Sequence, residues 1–135
     1  MPIGAISVEK TVYWHISIDR DRSVVRLTRT SAPYRKLTDV TAAHALIDHT
    51  LTDVDRKRHG LFLDLREAPS RNDPEFEVQL ERLRKAQTAT FKRTALLVKT
   101  ASGLLHVKRL IQQDRTLNAA VFMSEAQAAR YLEWG

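Results

Sequence analysis

Two serines, Ser70 and Ser102, and one histidine, His106, are the side chains from which nucleophilic catalysis would have to be assembled. A serine hydroxyl attacks only when a base beside it takes its proton. Neither serine stands in the glycine-flanked turn of a nucleophile elbow, and His106 falls inside a run of helical spacing that gives it no set direction. Metal binding fares no better. His44 and His49 are five apart on one predicted helix, point to different faces, and cannot share an ion. Asp19 and Asp21 flank an arginine in a polar turn, where solvation explains them better than calcium does. The segment Thr100-Ala101-Ser102-Gly103 precedes a helical run, so its amides could cradle an anion, with Lys99, Lys108 or Arg109 adding charge. Ser102 and Gly103 are therefore the candidate anion-binding residues. A phosphate loop needs more glycine and a lysine at fixed spacing, so an ordinary helix cap is the better reading. No catalytic residue, metal or cofactor is expected, and the chain is read as a non-enzyme.

These residues must be held by a single core. The chain has 135 residues of which 43% are apolar, enough for one sizeable domain spanning 1–135 with its core at about 12–134. Cysteine is absent, which removes disulfides and thiolate sites and fits a reducing cytoplasm. No apolar run approaches the roughly 20 residues of a membrane helix. Met1 to Lys10 lacks the basic stretch and apolar block of a secretory signal. The expectation is a soluble, cytoplasmic protein without a membrane span. A net charge of +6 raises the question of an anionic partner. The basic residues are scattered and interrupted by acids, with no aromatics interleaved for base stacking, so neither DNA nor RNA is expected.

The elements follow from periodicity. Val12, Trp14, Ile16 and Ile18 alternate with polar residues, and Val24 to Thr30 repeats the pattern after the polar turn Asp19 to Ser23, which predicts a β-hairpin with its first strand at or near a sheet edge. Thr38 is placed to cap a helix running to about Asp55, with Leu37 just outside it and Val40, Ile47, Leu51 and Val54 inward; His44 beside that stripe reads as packed. Leu61 to Leu65, Ala95 to Val98 and Ala119 to Met123 are apolar at nearly every position, as strands covered on both faces are. Asp73-Pro74-Glu75 opens a second helix with Phe76, Leu80, Leu83 and Gln87 inward. Glu77, Glu81, Arg84 and Lys85 then fall on a solvated face, with Glu81 and Lys85 at pairing distance. A third helix follows Gly103, and Ser124 with Gln127 has capping-box spacing before a fourth. The fold class is α/β: one mixed sheet of about five strands, an N-terminal hairpin and about four helices, in the order β-β-α-β-α-β-α-β-α. Ligands of such sheets bind at the carboxyl ends of the strands, which here means Arg66 to Asp73, Thr100 to Gly103 and Met123 to Glu125.

The element order and the segment Leu61-Phe62-Leu63-Asp64-Leu65-Arg66, with a later apolar strand before Gly103 and a closing helix bearing Tyr131, Leu132 and Trp134, resemble the STAS domain of anti-sigma-factor antagonists and their STAS/SEC14-like relatives. The resemblance implies a bacterial, non-catalytic regulatory module that binds a protein partner in signalling. In the antagonists a serine or threonine at the start of the helix after the Asp-Leu strand is phosphorylated. Here that place holds Asn72-Asp73-Pro74, so Asp73 supplies a permanent carboxylate and Ser70 is the fallback acceptor. The partner-binding residues implied are Arg66, Ser70, Arg71, Asp73, Glu77, Glu81 and Arg84. The alternative within the resemblance is a carrier that encloses a small ligand or lipid between helices and sheet. A homodimer through the hairpin edge or an apolar helix face is a question for light scattering.

Overall fold

Alternation in the first third of the chain and unbroken apolar runs in the rest produce one six-stranded mixed sheet. The computed structural model describes residues 5–69, 73–116 and 118–133, with the side chains of residues 5–7 outside that description. The elements are β1 (Ala5–Lys10), β2 (Trp14–Asp19), β3 (Val24–Arg29), α1 (Leu37–Thr50), a 3-10 turn (Arg56–Arg58), β4 (Gly60–Asp64), α2 (Pro74–Thr90), β5 (Arg93–Leu97), α3 (Ala101–Gln113), β6 (Ala119–Phe122) and α4 (Glu125–Glu133). The strands lie in chain order, β1-β2-β3-β4-β5-β6. β1, β2 and β3 are antiparallel, whereas β3 to β6 are parallel, as strands joined by helical crossovers must be. The sixth strand is β1, which the sequence reading left unassigned. It pairs with β2 through a register shift between Ser7 and Glu9, so the first hairpin strand lies second from the edge.

Register sorts the side chains onto two faces. Trp14, Ile16 and Ile18 stand opposite Arg29, Leu27 and Val25. Leu27 and Val25 in turn stand beside Leu63 and Leu61. This face carries the main core together with Val40 and Ile47 of α1, Phe76 of α2 and Val107 of α3. The other face carries Phe62, Ala95 and Leu97, covered by Ala128 and Leu132 of α4. β4 is buried at every position because both faces are covered there. Gly60 lets α4 come close: a Cβ there would stand 3.2 Å from the Leu132 side chain.

Two helix boundaries differ from expectation. α1 starts at Leu37, and Lys36 takes the N-cap place expected of Thr38. The reason is Asp39, whose carboxylate accepts the amides of Arg35 at 3.2 Å and Lys36 at 3.0 Å and so ties the chain into helix earlier. The helix stops at Thr50 rather than Asp55, and Val54 packs on the core from the following turn. The caps read at Asp73, Ser124 and Thr100 are present: Asp73 accepts the Glu75 amide at 3.2 Å and Ser124 that of Gln127 at 3.3 Å. Among the described residues, no helix is long and apolar enough to cross a membrane.

Candidate functional site

Helix α2 is anchored at its two ends. Of its 17 residues only Phe76 near the start and Gln87 and Thr88 near the finish are buried. Asn118 fixes that finish, donating from Nδ2 to the carbonyls of Thr88 at 3.2 Å and Phe91 at 3.0 Å. Beneath the middle of the helix is a cavity of about 440 Å³, walled by α1, α2, α3 and the ends of β3 and β4. Leu63, Leu65, Leu80 and Leu110 give it a predominantly apolar surface. Its size falls in the range, about 300–1,000 Å³, of small-molecule sites.

One charged group stands at the inner end. Arg29 is the last residue of β3 and is 4% exposed. Alternation places it there, on the same face as Val25 and Leu27 and opposite Trp14. No carboxylate lies within ion-pairing distance of it among the described residues. Its charge rests instead on aromatic faces: Cζ is 4.3 Å from the ring centre of Tyr34, 5.6 Å from Tyr13 and 5.9 Å from Trp14. Nη1 donates to the carbonyls of Thr30 at 2.7 Å and Tyr13 at 3.3 Å. Burial pulls the guanidinium pKa below its ordinary value, opposed by Tyr34 and Tyr13, yet an arginine stays charged at neutral pH. Tyr34 is pushed up, first by burial. Its hydroxyl accepts from Trp14 Nε1 at 2.8 Å and from the Arg29 side chain.

His44 completes this inner end. Its ring stands edge-on to Trp14 at 6.1 Å, and Nδ1 donates to the Val40 carbonyl at 3.0 Å, which makes Nε2 the acceptor in the neutral ring. Burial lowers its pKa, against the opposing hydrogen bond to Val40 and the charge of Asp48. His44 is thus packed and hydrogen-bonded, as the sequence suggested, but it also lines the cavity.

The outer wall includes three residues assigned by periodicity to open solvent, Glu77, Glu81 and Arg84, with Val78 beside them. Glu77 and Val78 are exposed at the mouth, while Glu81 and Arg84 are half-buried along the cavity. Glu81 pairs with Arg84 at 2.8 Å, not with Lys85, whose Nζ lies 3.7 Å from Asp114. The expected solvated face is therefore partly a cavity wall, because the helix is propped above the sheet rather than laid on it. His106 from α3 reaches the same cavity, and among the described residues no serine lines it. Among the described residues, no cluster of three or more metal-ligating side chains occurs.

The remaining predicted residues go elsewhere. Arg66 belongs to an ion-pair network on the α4 side: it donates to Asp64 from Nε at 3.0 Å and from Nη2 at 2.8 Å, and reaches Glu125 at 3.1 Å. Arg26 joins both acids at 2.9 Å and lies over Phe62. Asp64 is 3% exposed. Burial alone would raise its pKa, but the Arg66 side chain and amide, and then Arg26, outweigh that and hold it below the usual carboxylate range. Two of the three strand-end segments thus meet, through Arg66 and Glu125. The third closes on itself: Thr100 Oγ1 accepts the Gly103 amide at 3.0 Å, so Thr100 caps α3 and Ser102 and Gly103 lie in its first turn. Asp73 caps α2, outside the cavity lining. Ser70 and Arg71 lie outside the described residues.

The residue missed was Arg29, and its signal was parity. It sits two places after Leu27 and four after Val25, on the buried side of a strand whose other side carries Arg26 and Thr28. Comparison of the chain with protein-family models, with curated proteins and with solved structures found no match.

Proposed function

We propose that this chain is a non-catalytic binding module that encloses a small, largely apolar ligand between α1, α2, α3 and the sheet. The observation that carries the reading is the cavity beneath the middle of α2, built from leucines and closed at its inner end by Trp14, Tyr34 and Arg29. A helix held at both ends over an apolar space can admit a ligand by small movements of its middle, without disturbing the sheet. This is the carrier branch of the STAS/SEC14-like resemblance, and a cytoplasmic location agrees with a chain free of cysteine. Native mass spectrometry of gently purified protein tests it, together with binding of a hydrophobic fluorescent probe. A bound small molecule, or probe binding abolished by Leu80→Trp, supports the reading; an empty protein that takes up no probe removes it.

The competing reading is a regulatory module that meets a signalling partner through the 66–73 loop and α2. Val78 favours it, an apolar side chain 69% exposed on that helix beside Glu77. Arg66, saturated by Asp64 and Glu125, contributes less than the sequence implied. A pull-down in which Val78→Glu leaves every captured protein in place would dismiss this second reading.

A further inference from the structure

A charge buried without a counter-charge is costly, and the cost is tolerated where the charge has work to do. Arg29 is such a charge. Its five N–H donors can be accounted for. Nη1 spends two on the carbonyls of Tyr13 and Thr30. The Tyr34 oxygen, which accepts from Trp14, takes a third from the Arg29 side chain. Two donors have no acceptor among the described residues, at the end of an apolar cavity.

We propose that the ligand is an amphiphilic monocarboxylate, whose head group pairs with the Arg29 guanidinium while its apolar body lies along Leu63, Leu65, Leu80 and Leu110. This rests on the cavity reading above and adds the chemistry and the direction of the ligand. The planar fork of arginine matches a carboxylate in two parallel hydrogen bonds, and a desolvated site strengthens them. The guanidinium is the fixed positive charge at the inner end, and burial disfavours the charged form of His44 beside it, so one negative charge balances the site and two would not. The mouth sets the orientation: Glu77 is acidic and, among the described residues, the arginine beside it, Arg84, is taken by Glu81, so a carboxylate is repelled outside and drawn inward. The aromatic faces of Tyr13, Trp14 and Tyr34 hold the guanidinium still before the ligand arrives, which lowers the ordering cost of binding.

The test uses isothermal titration of the full chain at neutral pH with octanoate and with octanol, equal in apolar length and different only in the head group. Octanoate is expected to bind at least about tenfold more tightly, the worth of a charge-assisted hydrogen bond. Arg29→Met should erase that preference by weakening octanoate and leaving octanol unchanged, and Arg29→Lys should restore part of it. In carboxyl-labelled octanoate followed by NMR, the bound carboxyl of the wild type should titrate at lower pH than the free acid. That readout needs no variant. Equal affinity for octanoate and octanol would overturn the carboxylate proposal and leave the cavity reading standing. A preference that survives Arg29→Met would overturn the role given to Arg29. Uptake of neither compound would overturn both the carboxylate and the cavity.

Discussion

Asp64 and Arg29 are both buried charges at the carboxyl ends of neighbouring parallel strands, yet they face opposite sides of the sheet and have opposite surroundings. Asp64, on the α4 side, is held by two arginines that also share Glu125. Arg29, on the three-helix side, meets aromatic rings, carbonyls and a hydroxyl but, among the described residues, no acid. The first arrangement is complete without anything further and ties β3, β4 and α4 together. The second is incomplete and opens on a cavity. A buried charge points to a ligand only when its pairing account fails to close, which is why the proposal above rests on Arg29 and not on Asp64.

The contrast breaks most visibly at Asp64. Asp64→Ala removes a buried acceptor shared by two arginines, leaving them to Glu125, and should cost about 2 kcal/mol, read from denaturant unfolding. A loss under about 1 kcal/mol would mean the network is ornamental. Arg66→Ala should cost about 1 kcal/mol, because Arg66 is partly exposed and Arg26 still pairs the acid. Arg29→Met is expected to stay within about 1 kcal/mol of wild type, since relief of the buried charge's desolvation penalty offsets the lost hydrogen bonds and ring contacts. A large loss there would make Arg29 structural after all.

Acid sharpens the same comparison. Asp64 has a folded pKa below its ordinary 3.8, so the stability it contributes is present above that value and fades as pH falls through the folded pKa. His44 also has a lowered folded pKa, so protonation favours the unfolded chain and stability declines as pH drops below about 6.5. Unfolding measured across pH should therefore show two separate losses, the upper one abolished by His44→Gln and the lower one reduced by Asp64→Asn. This is the smallest expected effect, because Val40 and Asp48 partly offset the burial of His44.

Much of the fold could be read from particular residues. Trp14, Ile16 and Ile18 announced a strand with one buried face, and Leu61 to Leu65 one with two. Asp73-Pro74 and Ser124 with Gln127 marked helix starts, because a cap is a contact between neighbours in the chain. β1 went unread because its pairing with β2, not its own pattern, makes it a strand. The site was less legible. Glu81 and Arg84 have the spacing of a solvated face, and nothing local tells that α2 stands off the sheet.

Periodicity and capping determined from sequence alone which residues share a face and where most elements begin, since both act within a few positions along the chain. Tertiary structure alone decided which buried charge is paired. Arg26 meets Asp64 across 38 positions and Arg66 meets Glu125 across 59, distances at which no local pattern operates. The same packing left Arg29 without an acid among the described residues and left room beneath α2, because a helix fixed at its ends does not fill every space over the sheet.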